Sequence, residues 1–232
     1  MPNIAGINDH NGELAESLAQ GYKTLDRRSI YPEIYAMTDR AAANGQSLHI
    51  LDIGAGAGND AIEMAQAGHH VVAIEPSDLR HIAERDHPHA HIDYRDDVLP
   101  ELKTIAREEQ FDMVMMSAVW QYIDPSERVA ALVRIGQAMR PGGTLVFTYP
   151  SPPSRPHQFE ASPEMVKADM DAANQQLPRH RQLSLSGEPS ILPDSRGRKS
   201  SDGRDIHFYT FVAETGHAKA PIQREGWAAG RS

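Results

Sequence analysis

The sequence predicts an α/β protein: a mostly parallel β-sheet with helices on both faces and a helical cap before the first strand. Three observations carry that expectation. Short, β-branched apolar runs recur at 48–53, 71–74 and 111–117, nearly continuous rather than alternating, as strands covered on both faces must be. Segments with helical spacing of apolar residues alternate with these and later strands, so the units are βαβ and the sheet is parallel. The first run breaks abruptly into Gly54-Ala55-Gly56-Ala57-Gly58, a glycine turn between a strand end and a helix start. Backbone N–H groups at such a turn point outward unobstructed, a ready site for an anionic or polar ligand.

Composition narrows the function classes. The 232 residues, 40% apolar and 24% charged, suit a globular protein large enough to bury a full core. A net charge of −9 argues against a surface that grips nucleic acid, because phosphates need compensating cations. The absence of cysteine removes disulfides, thiolate metal sites and a cysteine nucleophile. No apolar run approaches the roughly 18 residues of a membrane span. The opening MPNIAGINDH lacks the charged-then-apolar pattern of a secretory leader. A cytoplasmic enzyme with no membrane partner is therefore expected, its oligomeric state left open.

Taken in order, residues 1–11 are polar and turn-rich, a flexible start. Residues 12–45 make the helical cap. Leu14, Leu18, Tyr22 and Leu25 fall at helical spacing over 13–25, with Ala15 and Ala19 beside them. Pro32 opens a second helix with Ile34, Met37 and Ala41 on one face and Asn44-Gly45 as its stop. The main domain spans 46–213. After the glycine turn comes a short helix over 60–67, ended by Gly68, and then the strand 71–74, which ends at Glu75. Residues 77–85 read as helix and 91–95 as a third strand ending at Asp96-Asp97. A helix is expected over 99–109, with Pro100 in its first turn. The fourth strand, 111–117, leads to a helix over 125–139 closed by Pro141-Gly142-Gly143, and 144–149 is the fifth strand. Four prolines within 150–156 make a stiff extended loop. Ser162-Pro163-Glu164 starts a helix with Val166, Met170 and Ala173 inward. A strand over 181–186 and an aromatic strand over 205–213 flank a basic, turn-rich loop at 192–204, placed to pair antiparallel at the sheet's far edge. Residues 214–232 read as a flexible tail.

In open parallel sheets ligands bind outside the carboxyl ends of the strands, where the strand order reverses. Four strand ends carry informative residues: Asp52 with the glycine turn, Glu75, Asp96-Asp97, and Ser117-Ala118. An acid about 20 positions beyond a glycine turn suits a pair of ribose hydroxyls. An acid at the third strand end suits an exocyclic amine. Each acid alone is as simply a helix cap or a solvated charge; with the glycines they outline an adenosine-shaped slot.

At this point a family resemblance enters. LDIGAGAGND resembles the D/E-x-G-x-G-x-G motif of the class I S-adenosylmethionine-dependent methyltransferases. VVAIEPS resembles that family's second strand and acid, FDMVMMSAVWQYI its fourth-strand motif, and IGQAMRPGGTLVFTYP its helix, R-P-G-G turn and fifth strand. The resemblance covers roughly residues 12–213. It implies a Rossmann-like, seven-stranded, mostly parallel sheet whose last strand is antiparallel, the role taken by 205–213. It implies S-adenosyl-L-methionine as cofactor and methyl transfer by in-line displacement to a small-molecule acceptor. It also implies that Asp52, Gly54, Ala55, Gly56 and Gly58 line the methionine portion of the cofactor. Glu75 would hold the ribose, Asp96 or Asp97 the adenine amine, and Ser117 and Ala118 would lie near the sulfonium, with Tyr22 and Pro76 completing the binding set. The N/D-P-P-Y/F signature of amino-methylating members is absent, and Ser117-Ala118-Val119-Trp120 stands in its place. That departure disfavours nucleic acid as substrate.

The acceptor pocket is expected above the cofactor, between the cap, the loop after the fourth strand and 150–156. Trp120, Tyr122, Tyr149 and His157 are the candidate catalytic residues there, with core packing or loop anchoring the simpler reading of each. Histidines 69, 70, 81, 87, 89 and 91 sit at different helix–strand junctions without ligand spacing, so no metal is expected. The basic run at 196–204 reads as a solvated loop or an attractor of an anionic substrate. Two other functions compete. An NAD(P)-dependent oxidoreductase would need a glycine at GxGxxG spacing where Asn59 stands. A non-catalytic S-adenosylmethionine-binding protein would be favoured by a filled acceptor cavity.

Overall fold

The computed structural model describes residues 11–153, 155, 157–194 and 196–216. Of the flexible ends expected at 1–11 and 214–232, residues 1–10 and 217–232 lie outside the described residues, whereas Glu214 and Thr215 belong to the last strand. Eight strands form one sheet: β1 (His49–Ile53), β2 (His70–Ile74), β3 (Ile92–Arg95), β4 (Phe111–Ser117), β5 (Met139–Ser151), β6 (Leu183–Leu185), β7 (Ser190–Pro193) and β8 (His207–Thr215). Their order is β3-β2-β1-β4-β5-β8-β6, with β7 also paired to β8. The first five strands are parallel, and β8 runs antiparallel to β5. This is the seven-position, Rossmann-like order expected, with one more short strand. Strands β7 and β6 share the outer edge of β8 end to end: β7 pairs with 207–210 and β6 with 213–215. Strand order reverses between β1 and β4, so the crevice opens where the glycine turn emerges.

The strands are buried on both faces, and their period of two sorts side chains to opposite sides. Ile50, Val71, Met113, Met115 and Val146 meet Ile34 of α3 (Pro32–Ala43) and Met64 of α4 (Asn59–Gln66). Leu51, Val72, Val114, Met116, Phe147 and Phe211 face the other way, onto α6 (Arg128–Ala138) and α7 (Pro163–Asn174). Helix α7 is as the sequence reads: the Ser162 hydroxyl accepts from Met165 N at 3.3 Å, and Val166, Met170 and Ala173 are buried. The cap holds α1 (Gly12–Lys23), α3 and an unforeseen short turn of helix between them, α2 (Arg27–Ile30), capped by Asp26 accepting from Ser29 N at 3.2 Å.

Helix α1 buries a different face from the one its leucines suggest. Ala15 and Ala19 pack on Leu79 and Ile82 of α5 (Leu79–Asp86), while Leu14 is 49% exposed. Ion pairs flank the seam, Arg85 Nη1 to Glu16 Oε1 at 2.6 Å and Lys23 Nζ to Asp86 Oδ2 at 3.1 Å. The small alanines let the two helices approach closely, which a leucine stripe would not.

The helix expected over 99–109 is absent; the segment is a run of turns. Leu99, Leu102 and Ile105 are buried at helix-like spacing, but three carbonyls of the segment are answered from elsewhere. The Arg134 guanidinium donates to the carbonyls of Glu101, Leu102 and Ile105 at 3.1, 3.0 and 2.6 Å. A helix would have spent those carbonyls on amides four residues on. The Asp97 carboxylate accepts from Val98 N, Thr104 N and Thr104 Oγ1 at 2.8, 2.6 and 2.7 Å, closing the loop. Leu102 takes a left-handed φ of +45°.

Pro141-Gly142-Gly143 also differs from expectation. It is an outward bulge within β5, where pairing jumps from Phe111↔Met139 to Met113↔Thr144. A Cβ on Gly143 would meet Arg140 O at 2.9 Å and Phe111 O at 3.1 Å, so only glycine fits. Among the described residues no helix is long and apolar enough to cross a membrane.

Replacing Asp97 by alanine leaves two part-buried amides and the Thr104 hydroxyl without this acceptor. The expected loss is roughly 2–3 kcal/mol in urea denaturation. An unchanged urea midpoint would show that the loop stands without this carboxylate.

Candidate functional site

The turn after β1 is bound to the end of β2. Gly54 N and Ala55 N both donate to the Ile74 carbonyl, at 2.8 and 2.9 Å, and Gly56 N donates to Glu75 Oε2 at 2.9 Å. The second Glu75 oxygen accepts from Ser77 N at 3.0 Å and Ser77 Oγ at 2.5 Å. The turn coils tightly enough to put Gly54 and Gly58 at φ +73° and +75°, the left-handed region that favours glycine. Space also demands glycine at both: a Cβ on Gly54 would collide with Val119 Cγ2, and one on Gly58 would lie 2.9 Å from Ala83 Cβ.

A cavity of about 240 Å³ opens over this turn. Asp52, Gly54, Gly56, Glu75 and Ser117 line it together with Tyr22, Tyr31 and Tyr122, and a Cβ on Gly56 would lie 3.6 Å from the Tyr22 ring. Asp52 is 2% exposed, and its Oδ2 has no hydrogen-bond partner among the described residues. Burial, reinforced by the nearby Asp60 and Glu75 carboxylates, pushes its pKa well above the ordinary value. The Ser117 hydroxyl is likewise buried without a partner. Ala118 holds a left-handed φ of +58°, with its amide donating to Thr148 O at 3.1 Å and Thr148 Oγ1 at 3.0 Å. A bare main chain, an unanswered carboxylate oxygen and an unanswered hydroxyl together ask for a ligand that donates hydrogen bonds and carries positive charge.

A family model described as a methyltransferase domain matches residues 27–187. The chain belongs to that methyltransferase family. No curated protein matches it in sequence. Solved structures do match in fold. Magnesium protoporphyrin IX methyltransferase of Synechocystis PCC 6803, solved with bound S-adenosylhomocysteine, aligns at TM-score 0.65 and 13% identity, over 90% of this chain and 97% of that one. The 1,6-didemethyltoxoflavin-N1-methyltransferase of Burkholderia thailandensis aligns at 0.56 and 18%, over 88% and 89%. The [4+2]-cyclase SpnF aligns at 0.58 and 14%, over 80% and 81%. S-adenosylmethionine is the cofactor of this methyltransferase class, and the residues present fit it: Asp52 Oδ2 can answer a cationic amine, and Glu75 and the glycine turn can answer its polar edge. The family match leaves the dinucleotide oxidoreductase without support.

Most residues named from the sequence converge here. Tyr22, Asp52, Gly54, Ala55, Gly56, Glu75, Pro76, Ser117 and Ala118 all line the cavity. Gly58 instead serves packing against Ala83. Asp96 is exposed and Asp97 is spent on its own loop; neither lines the cavity, which Val98 and Leu99 reach instead. Of Trp120, Tyr122, Tyr149 and His157, only Tyr122 is in the lining. Trp120 is fully buried, its ring 5.2 Å from that of Phe147 and covered by the Arg128 guanidinium at 5.4 Å. Tyr149 is fully buried and stacked on Tyr209 at 5.6 Å, and His157 lies exposed outside the cavity. Tyr122 thus lines the cavity as expected, with Tyr22 and Tyr31 in place of Trp120 and Tyr149.

Sequence reasoning missed a buried cluster. Asp60 lines the cavity, bonded by the Tyr35 hydroxyl and ion-paired with Arg27 Nε at 3.0 Å. Burial raises the Asp60 pKa, against the lowering by Tyr35 and Arg27. The one available signal was an acid directly after the glycine turn; nothing in the pattern linked it to Arg27, far upstream in the cap. Among the described residues no group of three or more His, Cys, Asp or Glu is arranged to hold a metal ion.

Two outcomes test this geometry. Gly54→Ala is expected to cost roughly 1–2 kcal/mol from its left-handed φ, plus the collision with Val119. Adding Val119→Ala should recover the collision part; no recovery in the double variant would place the strain elsewhere. Asp52 titrates with a raised folded-state pKa, so its contribution is fully present below its unfolded pKa and is lost as pH rises through the folded value. Asp52→Asn should therefore gain thermal stability over the wild type increasingly from about pH 5 to pH 8. Parallel melting curves across that range would contradict it.

Proposed function

We propose that this protein transfers the methyl group of S-adenosylmethionine to a small-molecule acceptor held in the tyrosine-lined half of the cavity. The observation that carries the reading is one continuous cavity joining the glycine turn and Asp52 to Tyr22, Tyr31 and Tyr122. An open acceptor half supports turnover over bare cofactor binding. The names of two fold neighbours add support, since magnesium protoporphyrin IX and 1,6-didemethyltoxoflavin are both small planar molecules.

When bound, S-adenosylmethionine supplies a methyl group on a positively charged sulfur, already activated toward in-line attack. The chain's own residues bind and align. Asp52 Oδ2 and Glu75 would hold the polar ends of the cofactor, and the buried Ser117 hydroxyl would offer it a further polar contact. Asp60 is engaged by Arg27 and Tyr35, so it holds the cap against the glycine turn. Burial pushes the Tyr22 and Tyr31 phenols up, keeping them protonated as hydrogen-bond donors to the acceptor. The cap residues Tyr22, Leu25, Arg27 and Tyr31 line the cavity and shield it from water. Alignment of this kind is worth roughly 7–11 kcal/mol in favourable cases.

Titration calorimetry with S-adenosylmethionine, S-adenosylhomocysteine and NADH tests the cofactor assignment. Saturable binding of the first two and none of NADH is expected. Gly56→Val, a branched residue forced to φ +55°, should weaken S-adenosylhomocysteine by roughly tenfold or more while its melt stays cooperative. Intact affinity in the folded variant, or binding of NADH alone, would overturn the assignment. Because a [4+2]-cyclase shares the fold, transfer of labelled methyl from S-adenosylmethionine to an acceptor must be measured directly.

A further inference from the structure

The acceptor half of the cavity has a charge that the acidic whole does not forecast. Three guanidinium groups line it: Arg155, from the segment between β5 and α7, and Arg196 and Arg198, from the segment between β7 and β8. Arg196 and Arg198 share one buried carboxylate, Asp194, with their Nε atoms 3.6 and 2.6 Å from its oxygens. Arg155 makes no ion pair among the described residues. Glu127, at the start of α6, is the one further carboxylate of the lining outside the glycine-turn end. Setting Asp194 and Glu127 against the three arginines still leaves a positive charge, in a protein of net charge −9. Arg27 adds nothing, being closed on Asp60.

The same arginines stand beside flat surfaces. Arg198 lies over the Phe208 ring at 6.0 Å, and Phe208 itself lines the cavity. Arg155 and Arg196 line the same cavity as the Tyr22 and Tyr31 rings. Guanidinium groups beside aromatic faces bind carboxylate or phosphate oxygens in a fork while leaving the rings free for a planar body.

We infer that the acceptor is a planar molecule bearing a carboxylate or phosphate, its anion bound by Arg155 and Arg196 and its body lying among Tyr22, Tyr122 and Phe208. The inference rests on the methyltransferase reading of the same cavity. The anion fixes which face and which atom of the acceptor is presented toward Ser117 and the glycine turn. Arg198, held by Asp194 at the shorter distance, positions the loop that carries Arg196 rather than supplying the free charge.

The test uses full-length protein saturated with S-adenosylhomocysteine and three probes: 4-hydroxybenzoate, phenyl phosphate and the neutral 4-hydroxybenzamide. Binding is read by calorimetry and ligand-observed NMR. One anionic probe, carboxylate or phosphate, should bind roughly tenfold or more tightly than the amide, and more weakly as salt rises. The better of the two identifies the anion. Arg155→Gln and Arg196→Gln should each remove most of that preference while S-adenosylhomocysteine affinity stays at the wild-type value. Equal binding of the amide, no binding of either anion at millimolar concentration, or unchanged anion affinity in both folded variants overturns the inference. The two readings fail separately. If S-adenosylhomocysteine does not bind, the cofactor assignment falls, and the probes titrated into the ligand-free protein still report whether the arginines select an anion.

Discussion

One carbonyl oxygen organises the site. Ile74 O receives the amides of both Gly54 and Ala55, so the end of β2 dictates the path of the chain leaving β1. Glu75 extends the hold by one residue, taking Gly56 N. Each such bond contributes only about 1 kcal/mol net, yet together they force the turn to coil left-handed before α4 can begin. That coil exposes bare main chain to the cavity and aims Asp52 and Ser117 at the same space. Parallel pairing of β1 with β2 and β4 is therefore more than scaffolding: a shift in either register would move the floor of the cavity.

The cavity's two halves are stabilised unequally. At the glycine end, Asp52 and Asp60 are buried carboxylates whose desolvation opposes folding, and only Asp60 has partners among the described residues. The ligand-free protein thus carries a cost concentrated where a cationic ligand would relieve it. At the other end the groups are longer, more exposed and paired mainly within their own loops, as Arg196 and Arg198 are with Asp194. Rigid carboxylates suit a fixed ligand; arginines on loops between strands suit one that varies.

Most of the sheet was legible because its strands carry local signals: continuous apolar runs, β-branching and glycine breaks. The cavity lining around the glycine turn was legible for the same reason, since Asp52, the glycines, Glu75 and Ser117 each sit at a strand end. What was not legible depended on partners remote in sequence. Residues 99–109 look helical because Leu99, Leu102 and Ile105 are spaced as in a helix. Arg134, from α6, claims the carbonyls of Glu101, Leu102 and Ile105, and no local pattern announces that. Leu14 looked inward because it is the largest apolar residue of its turn, whereas the contact with α5 is made by Ala15 and Ala19, with Leu18 and Tyr22 packed beside them. Trp120 looked like a pocket wall; instead its ring joins Phe147 inside the core and leaves the wall to Tyr22 and Tyr122. Arg27 and Asp60 meet only after the cap has folded over the glycine turn.

The split pairing along β8 has a consequence for solubility. A nine-residue strand rich in aromatic and β-branched residues is the kind of segment that templates other chains when left open. Here β7 and β6 cover it in two pieces, and neither is longer than four residues. At the opposite margin, β3 is four residues long and carries Asp93 and Arg95. Neither margin therefore offers an incoming strand a long, flat, uncharged row of hydrogen-bonding groups. The sheet ends on both sides in pieces too short or too charged to seed fibrils, which lets the protein keep its long aromatic strand one place in from the edge.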